Sequence, residues 1–158
     1  MEWYNGMELP EHVLESIRNT DIEQYGLHKD TQTTKEDIVN ALYDRCLQGT
    51  LLVVHEKDIN LFFTDQAPYV IKMDSLRGPK ASLFDYIKVV RKVIKFYLEK
   101  TETHKLETRT PFKELTILAK REKWEHEGTF KESYQMQDGS FADELSFGLI
   151  LRRELKCL

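Results

Sequence analysis

The residues of this chain whose types and spacing could do chemistry together are mostly cationic. Lys88, Arg91, Lys92 and Lys95 recur at three- and four-residue intervals, which on a helix gathers them on one side. Such a stripe can neutralise phosphates, whether of a small ligand or of an RNA backbone. It is also what the solvated side of an amphipathic helix looks like, and that is the reading preferred. Lys80 and Lys88, near the start of the same segment, are the better phosphate candidates. Metal chemistry has less support. His12, His28, His55, His104 and His126 follow no ligand spacing, and Cys46 and Cys157 form no CxxC pair, so no metal site is expected. Two unpaired thiols suit a reducing compartment. Phe62, Phe63, Tyr69, Phe84, Tyr86, Phe96 and Tyr97 fall at strand and helix spacing and read as core rather than as an RNA-stacking surface. Trp3 and Tyr4 could anchor the N-terminus or meet a partner.

Those side chains need a scaffold, and the composition says what kind. Of 158 residues, 41% are hydrophobic and 32% charged, with 7 Gly and 4 Pro, which excludes a disordered or collagen-like chain. One domain over 1–158 is expected, large enough to build a core without disulfides or structural metal. The apolar runs Leu51 to His55 and Ile59 to Phe63 are far shorter than the roughly 20 residues that span a bilayer. The start, Met1-Glu2-Trp3-Tyr4-Asn5-Gly6, lacks the basic and apolar regions of a signal peptide, so a cytoplasmic location is expected. A net charge of -4 offers no general attraction to nucleic acid or anionic lipid.

The periodicities then set the elements. A short helix follows Pro10, with Val13, Leu14 and Ile17 at helical spacing. A second, capped by Thr33 or Thr34, carries Ile38, Leu42 and Cys46 and ends at Gly49. Three β-rich runs follow, Leu51 to His55, Ile59 to Thr64 and Tyr69 to Met73, with connections too short for anything but an antiparallel meander. Leu83 to Lys100 is the strongest helix, with Leu83, Ile87, Val90, Ile94 and Tyr97 or Leu98 on one face, Ser82 as N-cap and Asp85 closing a capping box. Lys105 to Thr110 reads as a strand and Pro111 to Lys120 as a helix. Glu125 to Met136 and Ser140 to Arg152 form a hairpin about Asp138-Gly139, with Phe141, Leu145, Phe147 and Leu149 on one face. Nothing before Pro10 alternates for more than four residues, so a first strand at Met1 to Tyr4 would be only a stub.

This order resembles the GNAT superfamily of acyl-CoA-dependent N-acyltransferases. Leu118 to Ser133 looks like that family's LAxxxGFxxEGxxRxS passage, and Asp138 to Leu149 looks like its dGxxxDxxxyGL hairpin, as found in the branch that acetylates ribosomal-protein N-termini and aminoglycoside-type amines. The likeness runs over roughly residues 34 to 153. It implies an α+β (mixed αβα) fold: a mostly antiparallel central sheet of six or seven strands with about four helices, and an atypical segment at 1–33.

The resemblance also implies acetyl-CoA as donor and a primary amine of a small molecule or protein as acceptor. Backbone N–H groups at the start of the long helix would cradle the pyrophosphate, and the pantetheine would enter a splay between the fourth and fifth strands. The cofactor-binding candidates are then Met73, Arg77, Gly78, Lys80, Ala81 and Ser82, with the basic stripe available to the adenosine 3′-phosphate. Asp74, at a strand end, is the candidate general base, with Glu56 and His55 as alternatives. Several positions depart from the family pattern. Lys80 and Ser82 replace small residues, Pro79 removes an N–H donor, Phe112 and Leu115 stand where Asn and Ser are common, and Lys120 falls near a family tyrosine. Those departures suit an alternative: a GNAT-fold protein that has lost acetyl-CoA and serves as a binding or structural component with a protein partner, similar to degenerate chains carried by bacteriophages. A homo-oligomer is compatible with either.

Overall fold

The computed structural model describes residues 1–26 and 32–152, so His28 and Cys157 lie outside the described residues. The elements are β1 (Glu2–Tyr4), α1 (Glu11–Arg18), a 3-10 turn (Ile22–Tyr25), α2 (Lys35–Leu47), β2 (Leu52–Glu56), β3 (Ile59–Ala67) and β4 (Val70–Arg77). Then come α3 (Leu83–Lys100), β5 (Lys105–Thr110), α4 (Lys113–Arg121), β6 (Glu125–Gln135) and β7 (Phe141–Ile150). The strands form one seven-stranded sheet in the order β1-β2-β3-β4-β5-β7-β6. Every pairing is antiparallel except β4 with β5. The expected α+β, αβα architecture is therefore the one observed.

Helices cover both faces of the sheet because its inner strands are apolar on both sides. On β2, Val53 faces α1 and α2 while Val54 faces α3; on β3, Phe62 and Phe63 divide in the same way. Val13, Ile17, Val39 and Cys46 complete the first layer, and Tyr86, Val89, Val93 and Leu118 the second. Each fully buried aliphatic side chain of this kind contributes roughly 1.5–3 kcal/mol by leaving water. α3 opens with the expected capping box of Ser82 with Asp85; α2 is capped by Thr34, one of its two candidates, which also forms a box with Asp37.

The first strand is the stub expected there, a three-residue β1 whose rungs to β2 include Glu2 opposite His55. Pairing supplies the order that three residues of alternation cannot. Several other expectations are corrected. The third meander strand runs on to Arg77, so Asp74 lies within β4 rather than at its end. α3 buries Tyr86, Val89, Val90, Val93 and Tyr97, while Leu83, Ile87, Ile94 and Leu98 are only partly buried. Two apolar stripes adjoin on that helix, and the sheet takes the one richer in β-branched and aromatic residues. Tyr69, Phe84 and Phe96 are exposed rather than core, as is Phe141 on β7. Phe84 lies under the Lys88 ammonium, and Phe96 stacks on Trp3 with ring centroids 4.4 Å apart, which ties β1 to α3. Among the described residues, no helix is long and apolar enough to cross a membrane.

Candidate active site

The parallel ladder between β4 and β5 is short. It joins Val70–Lys72 to Lys105–Glu107 and stops there. Beyond it β4 follows β3 as far as Arg77, while β5 follows β7 as far as Thr110. Sheet twist carries the two partners apart, and a cleft opens between Met73–Leu76 and Thr108–Thr110. Its volume is about 370 Å³. Tyr25, Ile38 and Leu42 line it on the α1–α2 side; Tyr86, Val90, Leu115 and Leu118 line it on the α3–α4 side. The cleft thus pierces the sheet.

Of the cofactor-binding and catalytic candidates, Met73 and Asp74 lie in its wall. Met73 is buried toward α3, and Asp74 is exposed on the opposite face of β4, paired with the Lys72 ammonium at 3.0 Å. The next residue, Ser75, faces α3 again and lies 3.1 Å from the Tyr86 hydroxyl, its hydrogen-bond partner. Burial pushes the Tyr86 phenol above its ordinary range, partly offset by the bond to Ser75. Sequence reasoning placed Tyr86 in the core and passed over its hydroxyl. The available signal was a phenol on an apolar face, which must find a partner. The cleft's other phenols are committed elsewhere: Tyr25 donates to the Ile17 carbonyl and Tyr134 to that of Glu23. Burial holds each of them up at about 12.

The alternative base candidates sit apart from the cleft. His55 bonds to Asn60 and Glu56 accepts from Lys92. Phe112 and Leu115 make the cleft's apolar wall, and Lys120 points to solvent. The basic stripe is largely consumed. Arg91 makes a bidentate pair with Glu122 at 2.7 Å for both bonds, Lys92 pairs with Glu56, and Lys95 lies 3.8 Å from Glu99.

Arg77, at the end of β4, and Gly78, Lys80, Ala81 and Ser82, in the loop from β4 to α3, do not line the cleft. Their N–H groups end on acceptors of the protein itself. Gly78 donates to the Asp58 carbonyl at 2.8 Å, Lys80 to the Asp58 carboxylate at 3.0 Å, Ala81 to the Gly78 carbonyl at 3.2 Å and Ser82 to the Asp85 carboxylate at 3.2 Å. The Arg77 guanidinium donates to the Ala81 carbonyl. The Arg77 backbone is closed off by the Gln24 carboxamide, which accepts from its N–H and donates to its carbonyl, both at 2.9 Å. Asp58 is anchored in turn by Ser16 at 2.7 Å, and Asp85 by Lys57 at 3.1 Å. The hydrogen bonds from Ser82 and Lys57 hold the Asp85 carboxyl down at about 2. The cleft fits an extended, uncharged arm. Two of the loop's donors, the Lys80 and Ser82 N–H groups, already end on carboxylates, so a diphosphate bound here would have to displace Asp58 and Asp85.

Neither a protein-family model nor a curated protein matches the chain. Its backbone nonetheless has well-defined counterparts among solved structures. A ribosomal-protein-alanine N-acetyltransferase from Brucella melitensis superposes with a TM-score of 0.65 at 16% identity, over 96% of this chain and 100% of the other. A GNAT-family acetyltransferase from Bacillus anthracis gives 0.66 at 11% identity, over 93% and 94%. The spermidine/spermine N-acetyltransferase of Vibrio cholerae gives 0.67 at 10% identity, over 92% and 91%. The chain has the GNAT acetyltransferase fold.

Proposed function

We propose that the protein is an acyltransferase of this fold, passing an acyl group from a thioester in the β4–β5 cleft to a primary amine arriving from the α1–α2 side. The observation that carries this reading is the cleft's passage through the sheet, which lets donor and acceptor meet from opposite faces. Asp74 and Ser75, adjacent on β4, serve those two faces. The amine nitrogen bonds to the thioester carbonyl carbon and the carbon–sulfur bond breaks. The amine's proton passes to the Asp74 carboxylate, the departing thiolate takes one from the Tyr86 hydroxyl, and solvent restores both groups. Acetyl-CoA is the donor the resemblance implies, and the acceptor is an amine of a small molecule or a protein.

Asp58 and Asp85 favour a second reading, in which the fold is kept as a binding or structural component, in keeping with the phage-like resemblance. Thiol release from acetyl-CoA, followed with spermidine and with an alanine-terminated peptide, separates the two. Release above the uncatalysed rate with a matching acetylated product supports transfer. A rise in melting temperature with acetyl-CoA but no release supports binding alone. No release and no shift would overturn the acyl-transfer reading.

A further inference from the structure

We propose that Glu2, His12 and His55 form a binding site for a divalent cation of the zinc class. The three residues lie far apart in sequence and belong to different elements: Glu2 to β1, His12 to the first turn of α1, His55 to β2. Glu2 and His55 are direct cross-strand partners. His12 Nε2 lies 2.8 Å from Glu2 Oε2, and the two imidazole rings meet edge to face with centroids 5.5 Å apart. One ligand atom from each residue lies within 4.8 Å of the other two. Ligands on a tetrahedral zinc ion stand about 3.3–3.5 Å apart, given metal–ligand bonds of about 2.0–2.1 Å, so small rotations of the exposed Glu2 and His12 side chains close the set.

The tautomer of His55 is fixed by its neighbours. Ser16 Oγ donates to the Asp58 carboxylate, so it receives a hydrogen bond from the Asn60 amide nitrogen, at 2.9 Å. The Asn60 amide oxygen is then the atom facing His55 Nδ1, also at 2.9 Å, and Nδ1 must carry the proton. Nε2 is left with its lone pair. Asn60 is fully buried, so this arrangement is held by the core and not by solvent. An imidazole oriented through its far nitrogen is the supporting contact that histidine ligands ordinarily have. Two imidazoles with one carboxylate suit zinc, cobalt, nickel or copper and disfavour magnesium and calcium. The partial exposure of Glu2 and His12, at 48% and 54% of their side chains, leaves room for water as the remaining ligand. Bound metal takes the place of the proton between His12 and Glu2 and clips the three-residue β1 to α1.

The test uses the full untagged chain, stripped of metal by chelator and dialysis, titrated with zinc chloride by calorimetry and with cobalt(II) by visible absorption. The expected result is one equivalent bound, a rise in melting temperature with zinc and none with magnesium. His12→Ala should weaken binding on the order of 100-fold and abolish the cobalt band. His12 is exposed, so this variant folds, and His104→Ala and His126→Ala should leave binding unchanged. No zinc binding at millimolar concentration, binding untouched by His12→Ala, or equal loss in either control variant would each overturn the site.

Discussion

The Asp58 carboxylate fills the space beside Gly78 where any other residue would carry its first side-chain carbon. A Cβ built at Gly78 would stand 2.2 Å from Asp58 Oδ2 and 2.3 Å from its carboxyl carbon. Gly78→Ala must therefore displace a carboxylate held by Ser16 and the Lys80 N–H. We expect a loss of roughly 1–3 kcal/mol in urea unfolding, as for other overpacked sites. Combined with Asp58→Ala, the loss should be smaller than the sum of the two single changes. Strict additivity would show that the contact carries no strain.

On the acyl-transfer reading, the Asp58 carboxylate stands where the nucleotide end of CoA would be received. Asp58→Asn removes a negative charge from the loop while keeping the shape, so CoA should bind about 10-fold more tightly and pantetheine no differently. Calorimetry with both ligands checks this. Equal changes in the two affinities would place the effect outside the loop.

Tyr86→Phe removes the hydroxyl that faces Ser75 in the cleft. If Tyr86 protonates the thiolate, kcat should fall about 100-fold or more with KM little changed. Its phenol titrates above the ordinary tyrosine range, so the protonated form persists through neutral and mildly alkaline pH. Activity lost on the alkaline side below pH 9 should then be the same in wild type and in any active variant of this residue. A Tyr86→Phe enzyme with unchanged kcat would assign proton delivery to solvent.

The N-terminal cap of α3 should have a defined acid limb. Asp85 titrates at about 2 in the folded protein, below its ordinary 3.8. A folded value lower than the unfolded one means stability that is complete above about pH 4 and is lost as the pH falls through 2. The melting-temperature gap between wild type and Asp85→Asn should be constant from pH 5 to 7 and close between pH 4 and 2. A gap independent of pH over that range would show that the carboxylate's charge plays no part.

Much of the scaffold was legible in the chain itself. The hairpin spacing of the meander, the capping box of Ser82 with Asp85, and the order of elements along the chain, which resembles that of the GNAT fold, all depend on local rules, periodicity and turn chemistry, which act within a few residues. The cleft was legible only through the resemblance. The reason is that the stop in the β4–β5 ladder comes from each strand following a different neighbour, and no stretch of sequence records that. The long-range assignments were decided by the tertiary structure alone. Asp58 reaches the Gly78–Lys80 loop because the β2–β3 hairpin ends beside the end of β4. His12, His55 and Glu2 meet because α1 packs on β3, the neighbour of the β1–β2 pair, and so brings His12 to Glu2. By sequence spacing they are unrelated residues, and it is packing of both helical layers on one twisted sheet that brings their side chains within reach of a single ion.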